Sequence, residues 1–105
     1  MSRITKFLKQ KCRVQPYKLD DSGLPKYNQF GELQYDEPVC CRCRHEISYQ
    51  DVQVTNGSII RSTSRYFLDE SMEIKADYLI DGMAVLSVST YVNQLGRVEG
   101  YEVFV

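Results

Sequence analysis

The sequence predicts an all-β fold, a small barrel or sandwich of about six strands. Three observations favour this class: apolar residues alternate with a period of two along much of the chain, turn-forming residues separate these stretches, and no second helical pattern follows the N-terminus. A length of 105 residues is typical of one domain. We therefore expect a single β domain over residues 10–105 and a docking arm over residues 1–9.

The N-terminal segment carries apolar residues at helical spacing. Ile4, Phe7 and Leu8 fall at i, i+3 and i+4, which fits a short amphipathic helix or an arm that docks on a partner. One or two turns of helix are too short to be stable alone. The segment is therefore expected to act through contact with another surface.

The first strand and the loop after it come next. Cys12 and Val14 alternate with polar neighbours before Pro16, which predicts a strand near the edge of a sheet. Residues 18–37 then form a long polar loop with repeated glycine and proline. A loop of this length usually has a function or carries a small hairpin of its own.

The cysteine-rich stretch that follows reads as a half-buried strand, because its residues sort into two faces with a period of two. The face expected to be buried contains Val39, Cys41, Cys43, His45 and Ile47, and the outer face contains Cys40, Arg42, Arg44, Glu46 and Ser48. The arginines and the glutamate on the outer face are candidates for ion pairs across strands or between subunits.

Turn signals divide the rest of the chain. Asn56-Gly57 predicts a two-residue hairpin between two alternating segments, since this pair supplies the positive φ angles that such a turn needs. The elements expected after it are a short strand over 77–80, a tight turn at Asp81-Gly82, a strand over 84–91, a turn over 93–96 and a strand over 98–105. No internal repeat is apparent in the sequence.

The four cysteines raise the question of a metal or redox site. A zinc site usually takes two cysteine pairs from tight turns, whereas Cys41 and Cys43 lie two apart on a predicted strand, where side chains run parallel about 7 Å apart. The residues therefore favour small buried thiols that pack in the core, with no metal and no cofactor. A zinc-binding module that recruits Cys12 remains the lesser alternative.

Catalysis has little support. His45 is the only histidine and has no predicted orienting partner, the acidic pairs fall in turns, and no glycine-rich phosphate loop occurs. We expect a protein that is not an enzyme.

Charge is unevenly distributed along a chain whose formal net charge is −1. Residues 1–19 carry six basic residues and no acidic one, and the remainder is acidic. Outward arginines near tyrosines also suggest a small oligonucleotide-binding barrel, although an isoelectric point near 5.8 argues against it.

The order of these features resembles the head-closure, or stopper, proteins of long-tailed bacteriophages. In that family the loop carries an aromatic–glycine pair, then a tyrosine and a proline at the step into a strand that ends in Cys-Arg, and a later apolar–Asp–apolar–Gly segment precedes the last strands. Those places are occupied here by Phe30-Gly31, Tyr35, Pro38, Cys43-Arg44, Ile74, Asp77, Leu79, Ile80 and Gly82. The basic N-terminal segment and the richness in cysteine depart from the family pattern.

The resemblance implies a small, partly open barrel of the Src-homology-3 type whose copies form a ring. The ring would lie below the portal and adaptor proteins, close the channel on packaged double-stranded DNA without reading its sequence, and offer a surface to the tail terminator or tail completion protein. The resemblance also implies a virion protein, assembled in the bacterial cytoplasm and not attached to a membrane. A ring of six and a ring of twelve copies both remain open.

Two sets of candidate site residues follow. The resemblance places a channel loop at the hairpin tip, which consists of Gln53, Val54, Thr55, Asn56, Gly57 and Ser58. Contacts between subunits are expected from Arg42, Arg44 and Glu46 on the outer strand face and from Arg3, Lys6, Phe7, Leu8 and Lys9 in the arm.

Overall fold

The computed structural model describes residues 9–105, which form one antiparallel sheet of seven strands that does not close. The strands are β1 (Gln10–Gln15), β2 (Val39–Gln53), β3 (Ile59–Asp69), β4 (Leu79–Ile80), β5 (Met83–Ala84), β6 (Ser87–Val92) and β7 (Val98–Phe104). The predicted all-β class is confirmed, and residues 9–105 contain no helix. The expectations for residues 1–8 lie outside the described part of the chain.

The sheet runs in the order β5-β4-β1-β2-β3-β7-β6. β1 lies near one edge of the sheet, as expected, because only the two-residue strands β4 and β5 lie beyond it and β4 pairs only with Val14 and Gln15. Pro16 has no N–H to donate to a neighbouring strand, and it follows the last residue of β1. The proline therefore marks the end of this strand.

The two outer strands of the sheet are consecutive in the chain, which explains the barrel-like shape. Where one strand over 84–91 was expected, the chain changes partner at Val85 and Leu86. The Val85 N–H donates to the Tyr78 carbonyl and the Leu86 N–H to the Phe104 carbonyl, both at 2.8 Å. The chain thus leaves β4 and joins β7, and the curved sheet encloses one core.

The core draws on most of the strands and on the segment before β4. The side chains with almost no exposure are Val14, Cys43, Ser62, Leu68, Ile80, Val85 and Val103. Burying an aliphatic side chain of this size contributes roughly 1.5–3 kcal/mol relative to leaving it exposed. Cys12, Cys41 and Cys43 therefore lie in the same core as the aliphatic residues, as the strand period predicted, and Cys40 is exposed.

The hairpin between β2 and β3 has a three-residue tip, and the expected two-residue turn is wrong. The Gly57 N–H donates to the Val54 carbonyl and the Val54 N–H to the Ser58 carbonyl, each at 2.9 Å. Gly57 has a φ of 89°, whereas Asn56 is not among the residues with positive φ. This is a type I turn followed by a glycine in the left-handed region.

The same turn occurs at four places in the described chain. Each turn has a glycine whose N–H donates to the carbonyl three residues earlier, and the four glycines are Gly23, Gly31, Gly57 and Gly96. In three of them the first residue, Asp20, Asn28 or Asn93, also accepts two backbone N–H groups on its side-chain oxygen. The sequence therefore does contain a short recurring pattern, seen most clearly in "NQFGEL" and "NQLGRV".

The loop over residues 18–37 contains two of these turns and forms an ordered unit, which we call the knob. Its backbone closes a ring of three hydrogen bonds: Lys18 N–H to the Gln34 carbonyl at 2.9 Å, Gln34 N–H to Lys26 at 2.9 Å, and Lys26 N–H to Lys18 at 2.8 Å. These three residues are eight apart in sequence. The expected small hairpin is thus a pair of hairpins whose three segments bond to one another.

Candidate functional site

The strand β2 carries most of the residues predicted to be functional, and its two halves have different surroundings. Cys41 and Cys43 are buried as expected, but Val39, His45 and Ile47 are exposed, Ile47 by 73%. The prediction for these three is wrong. Val39 is the first residue of β2 and is exposed although it pairs with Val14, whereas His45 and Ile47 lie past Cys43, the last residue of β2 that pairs with β1. Beyond that point the strand leaves the core, and a bulge between Ile47 and Gln50 changes its register against β3.

The buried thiols lie together at the β1–β2 pair. Cys12 is directly opposite Cys41 in the ladder and is hydrogen-bonded to Cys43. This hydrogen bond, together with burial, raises the pKa of the Cys12 thiol, and burial raises the pKa of Cys41. All four cysteines are free, and residues 9–105 contain no cluster of histidine, cysteine and carboxylate groups able to hold a metal ion. The three buried thiols, those of Cys12, Cys41 and Cys43, pack as core side chains.

The exposed ring of His45 lies over the buried ring of Tyr66, close to the buried cysteines. The two rings stack with centroids 4.4 Å apart and an interplanar angle of 14°. The Tyr66 hydroxyl donates to Asp81 Oδ2 at 2.9 Å, and burial raises the pKa of Tyr66. Asp81 therefore anchors the turn between β4 and β5 to the core through Tyr66.

The outer face of β2 and β3 carries a network of ion pairs within the chain. Glu46 accepts from Arg44 at 2.8 Å and from Arg65 at 2.9 Å. Arg65 also lies 3.5 Å from a carboxylate oxygen of Glu102 and over the ring of Phe67. Arg44 and Glu46, predicted as contacts between subunits, thus already have partners in their own chain.

Arg42 has a different environment, because its cross-strand neighbour carries the same charge. It lies directly opposite Lys11 in the β1–β2 ladder, and both side chains are exposed. Lys9, the one arm candidate that is described, is also exposed. The remaining arm candidates, Arg3, Lys6, Phe7 and Leu8, lie outside the described residues, so their role stays a prediction.

The β2–β3 hairpin extends beyond the rest of the sheet, and we call residues 47–62 the distal ribbon. Within it the two strands pair with each other, while β1 and β7 pair only with the earlier part of β2 and the later part of β3. Ile47, Tyr49 and Ile59 are about 70% exposed there. The ribbon carries one ion pair, Arg61 with Asp51 at 3.5 Å, and its tip is uncharged.

The tip of the ribbon lies across two clefts from the junction of β5 and β6. One cleft of about 410 Å³ separates Gln53, Val54, Thr55 and Gly57 from residues around Leu86 and Ser87. A second, of about 270 Å³, is lined by Val54, Thr55 and Asn56 with residues around Asp77 and Val85. Five of the channel-loop candidates, Gln53 to Gly57, therefore line clefts that they share with residues of the body.

Two features were missed at the sequence level. Lys11 and Arg13 share the outer face with Arg42, a relation that depends on the pairing of β1 with β2. The turn tips also present exposed apolar side chains, Phe30 at 77% and Leu95 at 80%. The repeated Asn-Gln-apolar-Gly sequence was the available signal for the second feature.

In residues 9–105 no helix is long and apolar enough to cross a membrane. Comparison with protein-family models, curated proteins and solved structures gives no match to this chain.

Proposed function

We propose that this protein is a structural component of a bacteriophage head–tail connector. Its copies form a ring below the portal and adaptor proteins, close the DNA channel after packaging and provide a surface to which the tail attaches. The proposal starts from the order of sequence features that resembles the head-closure proteins. It implies a virion protein that acts through assembly and has no catalytic role.

The observation that carries this proposal is the distal ribbon. It is the continuation of the two longest strands, it extends past both neighbouring strands, and its tip from Gln53 to Ser58 has no charged residue. A polar, uncharged tip can contact DNA that moves past it without binding the phosphates tightly, because the electrostatic term dominates such binding. The ribbon occupies the place that the resemblance assigns to the channel loop.

The surface of the ribbon also supports assembly. Ile47, Tyr49 and Ile59 are exposed on a two-stranded element, and an isolated two-stranded hairpin is only marginally stable in water. Contact with a neighbouring subunit would bury these side chains and stabilise the ribbon. Contacts that differ on the two subunits can close into a ring when the rotation between copies is suitable.

Native mass spectrometry and electron microscopy test the proposal. The protein is measured alone and after mixing with the portal–adaptor complex of the phage that encodes it. We expect rings of a single copy number, or addition of a ring to the complex. A protein that stays monomeric and never joins the complex would contradict the proposal.

A single substitution at the ribbon tip tests channel closure separately. Thr55→Glu places a negative charge at the second position of the tip turn, and Gln94→Glu places it at the same position of the β6–β7 turn. We expect rings from both variants. Phage complemented with Thr55→Glu should package DNA but retain less of it, whereas Gln94→Glu should retain DNA like the wild type. Equal retention in both variants would remove the tip from the channel.

The alternative of a small oligonucleotide-binding barrel has weaker support. Barrels that bind single strands stack bases on aromatic side chains beside cations. On the outer face here, Phe67 is covered by Arg65 and stacks on Tyr91 at a centroid distance of 6.4 Å. A monomer that binds single-stranded DNA more tightly than duplex would favour this alternative.

A further inference from the structure

The outer face of β1 and the first half of β2 is strongly basic. Lys11 and Arg13 project from β1, and Arg42 and Arg44 project from β2, because the alternate residues Cys12, Val14, Cys41 and Cys43 are buried. Lys9 is exposed just before β1. We call Lys9, Lys11, Arg13, Arg42 and Arg44 the basic face.

Four members of the basic face make no ion pair within residues 9–105. Arg44 pairs with Glu46, but no salt bridge involves Lys9, Lys11, Arg13 or Arg42. The nearby Asp81 carboxylate accepts the backbone N–H of Arg13 and the Tyr66 hydroxyl and forms no salt bridge with the Arg13 side chain. Most of the basic face therefore has no salt-bridge partner in the described chain.

The position of these charges makes them costly in the isolated chain. Lys11 is directly opposite Arg42, and like charges at such a position destabilise a sheet. Outside the basic face the described chain is acidic, since the rest of residues 9–105 holds six basic and fourteen acidic residues. An anionic ligand on the basic face would relieve the repulsion.

The composition of the basic face favours phosphate groups over a protein surface. Protein interfaces are enriched in arginine, but alongside aromatic residues and methionine, and they are depleted of lysine. The outward positions of β1 and of residues 40–42 in β2 carry lysine, arginine, glutamine and one exposed cysteine, with no aromatic or aliphatic side chain. A row of cations without a stacking platform is suited to the backbone of duplex DNA.

We propose that the basic face binds the phosphate backbone of double-stranded DNA without sequence preference. The inference rests on the proposed function, because a connector subunit meets duplex DNA in its channel, and it names the surface that does so. β2 carries Arg42 and Arg44 of the basic face in its first half and leads into the uncharged ribbon tip at its end. In this arrangement the first half of β2 contacts DNA, and the tip that follows β2 closes the channel.

Fluorescence anisotropy with a labelled duplex of about 20 base pairs tests the proposal on the full chain. We expect binding that weakens between about 50 and 200 mM salt, with the logarithm of affinity falling by about 0.9 per tenfold rise in salt for each phosphate contacted. The double variant Lys11→Ser/Arg42→Ser should lose at least about tenfold in affinity at low salt and lower the salt slope by about 2. A duplex of unrelated sequence should give the same result.

A matched control distinguishes an effect of the basic face on DNA affinity from an effect of net charge. Lys26→Ser/Arg61→Ser removes two exposed positive charges from the knob and the distal ribbon, and it should bind DNA like the wild type. Equal losses in the two double variants, or no duplex binding by the wild type at low salt, would overturn the proposal. Circular dichroism should show that both variants remain folded.

Assembly measurements on the same variants distinguish this inference from the proposed function. If Lys11→Ser/Arg42→Ser binds DNA normally but no longer forms rings, the basic face is a contact between subunits and the inference is wrong. If the wild type binds duplex DNA through this face but never forms a ring or joins the portal–adaptor complex, the connector function fails and the DNA site stands.

Discussion

At the scale of single residues, Tyr66 illustrates how a polar group is accommodated in the core. Its ring is buried under His45, and its hydroxyl reaches Asp81 at 2.9 Å. A hydrogen bond of this kind contributes about 1 kcal/mol to stability. The pairing joins β3 to the turn between β4 and β5, which are distant in sequence.

Tyr66→Phe should lower the free energy of unfolding by about 1 kcal/mol at neutral pH, because it removes the bond to Asp81. Urea denaturation measures this difference. Tyr49→Phe is the control, since Tyr49 is 69% exposed, and its effect should stay below about 0.5 kcal/mol. A loss in Tyr49→Phe as large as that in Tyr66→Phe would contradict the assignment.

Alkaline pH should destabilise the protein in a way that depends on Tyr66. Burial raises the pKa of Tyr66 above its ordinary value, so the folded state holds the phenol proton at pH values where the unfolded chain has released it. Stability from this group is complete below about pH 10 and is lost as pH rises further. Denaturation at several pH values should show a shallower alkaline loss for Tyr66→Phe; an unchanged pH profile would count against this role.

The residue scale also shows why the burial of β2 was only partly predictable. Period-two alternation assigns faces correctly wherever a neighbouring layer covers the strand, as at Cys41 and Cys43. It says nothing about where the neighbouring strand stops, and the β1–β2 pairing stops at Gln10, which is opposite Cys43. His45 and Ile47 therefore follow the alternation of the strand but lie outside its buried part.

At the scale of elements, one type of turn recurs along the chain. Four turns of one type use a glycine at positive φ, and three of them add an Asp or Asn side chain that accepts two N–H groups. The sequence predicted the turns at Gly57 and Gly96, but it assigned Gly23 and Gly31 only to a long loop. It did not reveal the turn type, because Asn-Gly fits a two-residue turn as well as a three-residue one until the strand register is known.

Gly31→Ala should destabilise the knob, since Gly31 has a φ of 78° and an alanine there costs about 1 kcal/mol. Its Cβ would meet no atom within 4 Å, so the cost is conformational and involves no clash. Hydrogen exchange should show faster exchange of the Lys18, Lys26 and Gln34 amides. Gln29→Ala is the control, because its exposed side chain has no role in the turn; equal acceleration there would contradict the explanation.

At the scale of the whole molecule, the basic face should attract anions, and the acidic remainder of the surface should repel them. The basic face lies on a body that is otherwise acidic, and the unevenness of charge was visible in the sequence. The sequence placed the excess in the first nineteen residues, however, and only strand pairing adds Arg42 of β2 to Lys11 and Arg13 of β1. Proximity of this kind depends on register, which a single sequence does not determine.

The knob has a consequence for how this protein can be altered. Its entry and exit are tied by the Asp36 N–H to the Pro16 carbonyl at 2.9 Å, and its contacts with the body include the Tyr35 hydroxyl to the Asp77 carbonyl and Tyr17 against Tyr78. A segment whose backbone hydrogen bonds are made within the segment can be removed without breaking the hydrogen bonds of the sheet. Replacing residues 18–34 with a short glycine-serine linker should leave the sheet intact by circular dichroism, and the same site should accept a foreign peptide without loss of the fold.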